Sequence, residues 1–485
     1  MNLILLPNQL FPLRILLKQV ESLDHVYLIE EPRYFTDYKF HKLKLVYHRC
    51  SMKKYCDDLK KKNIKCTYYD FNEVNNKLYT SLNKKNTIFF NPIDHKLFDK
   101  FSRLLTKSTM INNLNYLLTP DEVSENKDKF FKNNKYYHNL FYIFQRKKLD
   151  ILMNDDQPVG DRWSFDTENK SSLPKNIDVP EIPKLKKSEY FNEATKYVNE
   201  NFPDNYGDTD QLLYPIDTKG AIKWLNDFVE NRLSNFGKYQ DAVDSDRPFL
   251  FHSVISPMMN IGILPDICVV LIVKSYYEKN KSEIPISSYE GFIRQVIGWR
   301  NYNYAIYLLE PDMYNVNKLE HYNKISDNYW TGNTNIKPLD TIIQNIVKYS
   351  YVHHIERLMF LGTWFIINFM DPKEVHRIFM EWTIDAYDWV MVPNVMGMSQ
   401  YADGGKMMTR MYFCSSNYIN KMSNFKKLKD DKWWEIWDAK YYSFINEHKD
   451  ILKKNYATAR QVAFWSKKSQ SEKKRILKIS EDFIA

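Results

Sequence analysis

The chemistry of this chain concentrates in Tyr351-Val-His353-His354-Ile-Glu-Arg357-Leu-Met359, followed further along by Asp385-Ala-Tyr-Asp388-Trp389. Histidine is the side chain that gives or takes a proton near neutral pH. The apolar spacing predicts a buried helix here, on which adjacent side chains point about 100° apart, so one histidine faces a given pocket. Arg357 follows His354 by one turn and shares its face. Together with the aspartates, the pattern predicts an acid held in a cleft. Metal ligation and plain core packing are the alternatives for paired histidines on an aromatic-rich helix.

Further clusters have the same character. In Phe251-His252-Ser253-Val-Ile-Ser256-Pro257-Met-Met-Asn260-Ile-Gly262, hydroxyls and an amide gather at a helix start behind Arg247, a pattern suited to a phosphate. Ser256-Pro257 also reads as a helix cap and first turn. Glu290-Gly-Phe-Ile-Arg294-Gln295-Val-Ile-Gly298-Trp299-Arg300 interrupts a buried face with polar groups, and Trp330-Thr-Gly332 stands apart.

The elements that must position these groups fall into two kinds. Up to about residue 130, short apolar runs (Leu3 to Leu6, Val26 to Ile29, Cys66 to Tyr69, Thr87 to Phe90) alternate with amphipathic stretches such as Lys39 to Lys62. That alternation predicts a parallel, Rossmann-like sheet flanked by helices. Pro7-Asn8-Gln9-Leu10 stands where a glycine-rich phosphate loop would follow the first strand, so a nucleotide fingerprint is absent. From Asn154 to Lys187 the chain is polar and proline-rich, a linker. Beyond it helical periods dominate: 187–201, 219–236, 289–309, 338–369 and 372–389. The expected organisation is an α/β domain over 1–135, a linker over 136–200 and a large all-α domain over 201–485.

With 485 residues, 44% hydrophobic and 15% aromatic, the chain can build a large core and still line a cavity. A net charge of +9 favours a polyanionic partner, although solvated lysines account for part of it. The run Lys467-Lys-Ser-Gln-Ser-Glu-Lys-Lys-Arg475 reads as a solvated helix face, with DNA contact as the alternative. Cys50, Cys56, Cys66, Cys268 and Cys414 form no CxxC pair and no disulfide framework, so the expectation is a reduced, intracellular, soluble protein of cytoplasm or nucleus. The opening Met1 to Leu6 reads as a strand and not as a signal peptide, and no run approaches the ~20 residues of a membrane span. Abundant Lys, Asn, Ile and Tyr with 12 glycines suggest an AT-rich genome, a viral one included.

The clusters resemble, in order, the photolyase/cryptochrome family. Ser253 to Leu264 is similar to its flavin-phosphate segment S-x-L-S-P-Y-L-x-x-G-x-L, Arg294-Gln295 and Trp299-Arg300 to its next flavin- and DNA-facing helix, and Trp330-Thr-Gly332 to its W-T-G element. Tyr351 to Met359, Asp385 to Met398 and Tyr401-Ala-Asp-Gly-Gly405 resemble Y-x-H-H-x-x-R-L-M, D-x-x-x-W-V-x-x-P-N-V-x-G-M and Y-A-D-G-G of the prokaryotic (6-4) photolyases, the iron–sulfur bacterial group. Asn8-Gln9-Leu10 is similar to that group's G-D-Q-L.

The resemblance implies FAD lined by Ser253, Ser256, Asn260, Arg294, Gln295, Asp385 and Asn394, with Arg357 facing a carboxylate, Asp388. It implies UV-damaged DNA as partner of a monomer, and light-driven electron transfer to a flipped-out (6-4) lesion, a lyase reaction with no net redox change. His354 would be the acid, with His353 secondary; Trp299, Tyr412 and Met398 would touch the lesion, and Arg300 its phosphates. A cyclobutane-dimer photolyase or a blue-light photoreceptor is the alternative. Two departures stand out. The cysteines that hold the relatives' four-iron cluster are missing: Pro338 stands near the first position, and Asn424 to Trp433 has none. Ile378-Phe379 stands where the relatives have an electron-transferring Trp-Tyr pair, leaving Trp330, Trp382, Trp389 and Trp364 as relays. The antenna, a ribityllumazine, a deazaflavin or none, is expected at a site altered by Asn8, near Pro7 to Leu10 and Glu30.

Overall fold

Asn2–Leu5 (β1) is apolar on both of its faces, and Leu3, Ile4 and Leu5 are all buried. A strand with two dry faces belongs in the middle of a parallel sheet covered on each side. The computed structural model, which describes residues 1–84 and 86–483, puts it there. With His25–Ile29 (β2), Lys65–Tyr69 (β3), Thr87–Phe90 (β4) and Thr109–Ile111 (β5), it forms an all-parallel sheet in the order β3-β2-β1-β4-β5. Period-two alternation divides the side chains between two cores. Leu3, Leu5, Val26 and Leu28 feed one, and Ile4, Leu6, Ile29 and Phe89 the other, and both continue into the helical half. β5 lacks an apolar run because it is an exposed edge, and sequence pattern passes over it.

The helix expected over 39–62 runs from Lys42 to Lys60. It is wedged between the sheet and the helical half, so it buries polar residues (Lys44, His48, Arg49) along with apolar ones. Its last turn lies against β3, which brings Cys56 and Cys66 to a Cα separation of 5.8 Å, and they are joined as a disulfide. That corrects the expectation of five unpaired thiols; Cys50, Cys268 and Cys414 are free, the first two on different helices and the third in the loop before Ser416.

The stretch expected as a linker holds two helices that pack. His138–Leu149 lies against 294–300, and Glu189–Asn201 lies against Lys42–Lys60, where Arg49 pairs with Glu193 at 2.6 Å. Irregular chain occupies most of the proline-rich 154–187. After residue 201 the regular elements are helices, and none among the described residues is long and apolar enough to cross a membrane.

Two long helices expected from periodicity are broken. The one over 338–369 stops at Tyr349, turns through Ser350 at φ 52°, and restarts at His354. The one over 372–389 stops at Trp382 and resumes at Asp388. Both breaks lie in the candidate site.

Candidate active site

Three π-helical turns frame the site: Arg294–Arg300, Glu356–Gly362 and Pro393–Ser399. A π turn inserts a residue into an α-helix at the cost of poorer geometry, and such turns cluster where side chains must be re-aimed. Arg294, Gln295, Trp299, Arg300, Arg357, Asn394 and Met398 all lie on these turns. The second and third turns press together at Gly362, where a Cβ would lie 2.8 Å from the Arg357 carbonyl oxygen and 3.0 Å from Ser399 Cβ. A larger residue would force them apart.

Asp385 is the hub. It sits in the turn between the Pro372–Trp382 and Asp388–Val392 helices, accepts from Arg357 at Oδ2 at 3.1 Å, and holds Oδ1 3.0 Å from the same guanidinium as an ion pair. Ser256 Oγ donates to it at 2.6 Å, and Asn260 Nδ2 donates to its backbone carbonyl at 2.6 Å. Ser256 is therefore not a helix cap; its hydroxyl is used on Asp385. Arg357 meets Asp385 and not Asp388, because the break after Trp382 turns the two carboxylates apart. Ahead of Ser256, Leu250 and Val254 hold φ of 39° and 54°. A β-branched residue in that region costs about 1–3 kcal/mol, the kind of strain that persists where tertiary contacts impose it. It brackets His252 and Ser253. Arg247 is turned elsewhere, onto Asp244 at 2.7 Å.

The two histidines do not share a helix. His353 precedes its first turn, donates its backbone N–H to Glu356 Oε2 at 3.0 Å, and stacks its buried ring on His252 with centroids 4.2 Å apart. Burial first, then His252, His354 and Arg357, keep it neutral. His354 begins the helix and is open to water on one side, with its ring 6.3 Å from Trp299. Protein atoms crowd its other sides, and that burial, then Arg357, lowers its pKa to about 4. Trp299 donates Nε1–H to Asn394 Oδ1 at 3.2 Å, while Asn394 donates to the Val390 carbonyl at 2.7 Å. His354, Trp299 and Asn394 thus form one wall, and Ser256, Asn260, Arg357 and Asp385 another.

Other nominated residues spread around these walls. Arg294 pairs with Glu290 at 3.1 Å and Asp166 at 3.0 Å. Neither the Gln295 amide nor Ser253 Oγ has a partner among the described residues, and both side chains are half-buried. Tyr412 lies under the Arg410 guanidinium at 5.2 Å, and Met398 is buried. Arg300 does not reach outward to a phosphate. It donates to Asp266 at 2.6 Å and to Asn260, and covers Trp389 at 4.7 Å. Trp330, half-buried, meets the fully buried Trp382 edge to face at 5.9 Å.

Sequence reasoning missed the residues that grip this site from the α/β half. Arg33 pairs with Asp388, Asp94 and Asp37, and His376 lies 3.1 Å from Asp388. Burial alone would raise the Asp388 pKa; His376 and Arg33 instead hold it below the usual carboxylate range. Lys44 donates to the Ala386 carbonyl at 2.5 Å, and His48 meets the Tyr387 hydroxyl at 2.7 Å. Burial brings the Lys44 ammonium down to about 7 against the pull of Asp385 and Asp388. Glu356 was also missed; burial raises its carboxyl to about 8, opposed by the His353 N–H and Arg357. Only a full tertiary arrangement signals such groups, since their partners lie hundreds of residues away or their shift comes from burial. At the loop resembling an antenna motif, Asn8 donates to Tyr34 at 3.2 Å, and Glu30 is taken up by Arg49, Tyr68, Tyr197 and the Phe71 N–H.

Residues 3–214 match the family model described as deoxyribodipyrimidine photo-lyase-related protein. A (6-4) photolyase of Agrobacterium fabrum is 36% identical over 340 residues, covering 68% of this chain and 66% of that protein, so the match spans about two thirds of the relative's length. A bacterial class III photolyase from Agrobacterium tumefaciens has the same fold, with a TM-score of 0.59 at 14% identity, covering 94% of this chain and 91% of its own. So does an archaeal photolyase from Sulfolobus tokodaii, solved with two FAD molecules, with a TM-score of 0.53 at 13% identity over 99% of this chain and 100% of its own. On its sequence and its fold, the chain belongs to the deoxyribodipyrimidine photo-lyase-related family.

Proposed function

We propose that this protein is a light-driven DNA repair enzyme that reverses (6-4) photoproducts, with FAD held in its helical half. The observation that carries the reading is the pairing of an open acid wall (His354, Trp299, Asn394) with a polar floor tied to Asp385. The residues fit FAD. Ser253 and Gln295 offer unpartnered hydrogen-bonding groups, and Ser256, Asn260, Arg294, Arg357, Asp385 and Asn394 supply the hydroxyls, amides and charges that a diphosphate and flavin ring edges require. Held there by these residues in its reduced form, FAD would supply light-driven electron transfer with no net redox change.

The chain's own work is positioning and proton transfer. Trp299 and Tyr412 offer aromatic faces to a flipped-out base, a contact of about 1–3 kcal/mol each. Flipping costs a few kcal/mol, least for a damaged base that pairs poorly. His354 gives a proton from its ring to the group returning to the 5′ base. In the free protein it is neutral at pH 7. Phosphates of an entering strand favour its charged form, so the substrate arms the acid. We assign residues 1–135 to an antenna-type domain, 136–200 to the connection and 201–485 to the catalytic domain. An antenna at Asn8 and Glu30 would have to displace partners that both already have. A four-iron cluster does not fit, because it needs four thiolates and the three free cysteines, Cys50, Cys268 and Cys414, lie on two different helices and a loop.

Illumination of the chemically reduced protein with oligonucleotides carrying one defined lesion tests the reading. The expected result is reversal of the (6-4) lesion, abolished in His354→Ala with flavin content and damaged-DNA affinity retained. Reversal of the cyclobutane dimer alone would replace it with the cyclobutane reading. Reversal of neither lesion would leave a photoreceptor.

A further inference from the structure

The Tyr456–Ser466 helix buries Thr458, Val462 and Trp465 and turns the opposite side to water. On that outer side Tyr456, Arg460 and Phe464 follow one another at four-residue steps, in a single stripe. Tyr456 is 99% exposed and Phe464 52%, and the Arg460 guanidinium lies 5.3 Å over the Phe464 ring. Exposed aromatics scattered singly need no explanation. These two flank an arginine that has no carboxylate partner among the described residues. From Ile451 to Ser471 the chain has five basic residues (Lys453, Lys454, Arg460, Lys467, Lys468) and no acidic one; Lys453 and Lys468 pair with Asp450 and Glu472 at its two ends, and Lys454, Arg460 and Lys467 have no carboxylate partner among the described residues.

The stripe starts at the rim of the candidate site. Asn455 Nδ2 donates to the Thr409 carbonyl at 2.8 Å, tying the helix start to the loop that carries exposed Arg410 and half-buried Tyr412. We propose that Tyr456, Arg460 and Phe464 form a second DNA-contact surface, continuous with the lesion site. A strand leaving the site would lay bases on the two rings and phosphates along Arg460 and the neighbouring lysines. This rests on damaged DNA being the substrate. The chemistry favours a nucleic acid strand over a protein: two rings between alanines are far smaller than the ~800 Å² per partner of a stable protein interface. The three unpaired cations, Lys454, Arg460 and Lys467, match a polyanion.

The test is fluorescence anisotropy of the flavin-loaded protein with a labelled duplex that carries one (6-4) lesion and runs on into a single-stranded extension, over a series of salt concentrations. The double variant Tyr456→Ala, Phe464→Ala should weaken binding about tenfold per ring. Arg460→Gln should lower the salt slope by about 0.7, the single-strand value. Conversion at saturating DNA should stay at the parental yield, since no substituted residue lies in the reacting site. If the parent binds the duplex and the variants match it in affinity and salt slope, the stripe is not a DNA surface. Loss of self-association by sedimentation with unchanged DNA binding would make it an interface between copies, which also overturns the proposal. If the parent itself fails to bind the lesion, the substrate reading falls with it.

Discussion

Replacing Glu356 with glutamine should stabilise the protein at neutral pH and leave it nearly unchanged in acid. The folded carboxyl has its pKa raised to about 8, against 4.5 for the free side chain, because it is buried beside His353. The fold therefore keeps a proton that the unfolded chain releases as pH rises from 4.5 towards 8. Stability falls with pH across that window, by about 1.4 kcal/mol per pH unit. Between roughly pH 5 and pH 7.5 the loss is about 3 kcal/mol. Glutamine has no proton to release, and its carbonyl can still accept the His353 N–H that Glu356 takes at 3.0 Å. Urea unfolding of parent and variant at both pH values isolates the effect, since every other titrating group cancels in the difference. A difference that moves by less than about 1 kcal/mol between the two pH values would show that Glu356 is ionised in the fold, and would refute the reasoning.

Asp385→Asn should cost about 3–5 kcal/mol in urea unfolding, because it leaves the Arg357 guanidinium buried without its charge partner. Cys56→Ser should cost about 2–3 kcal/mol, the closure entropy of a short loop, and reductant should lower the parent's unfolding midpoint but not the variant's. Trp330→Phe should slow photoreduction of the oxidised protein, since Trp330 links buried Trp382 to the surface, and leave repair by chemically reduced protein unchanged. Elemental and sulfide analysis of purified protein should find flavin without stoichiometric iron, as the three free thiols lie on two different helices and a loop.

The sequence by itself determined the architecture and nominated the chemistry. Short apolar runs such as Leu3 to Leu6 point to central parallel strands because they alternate with amphipathic stretches that can cover both faces; the run Ile267 to Val273, without that alternation, lies on a helix. Histidine, arginine, aspartate and asparagine are visible as types because few side chains can do their work. What pattern could not decide was which partner each group meets. Asp385 and Asp388 read alike, three residues apart, yet the break after Trp382 sends one to Arg357 and the other to Arg33. Arg300 reads as a phosphate ligand until Asp266 and Asn260 are found around it. The π turns leave no mark in a 3.6-residue period, and the Cys56–Cys66 bond depends on a helix end lying against β3. The pKa values of Lys44 and Glu356 depend on burial between two layers of the fold. Pairing energies and desolvation depend on distances in space between residues far apart in the chain, so only the tertiary structure could decide them.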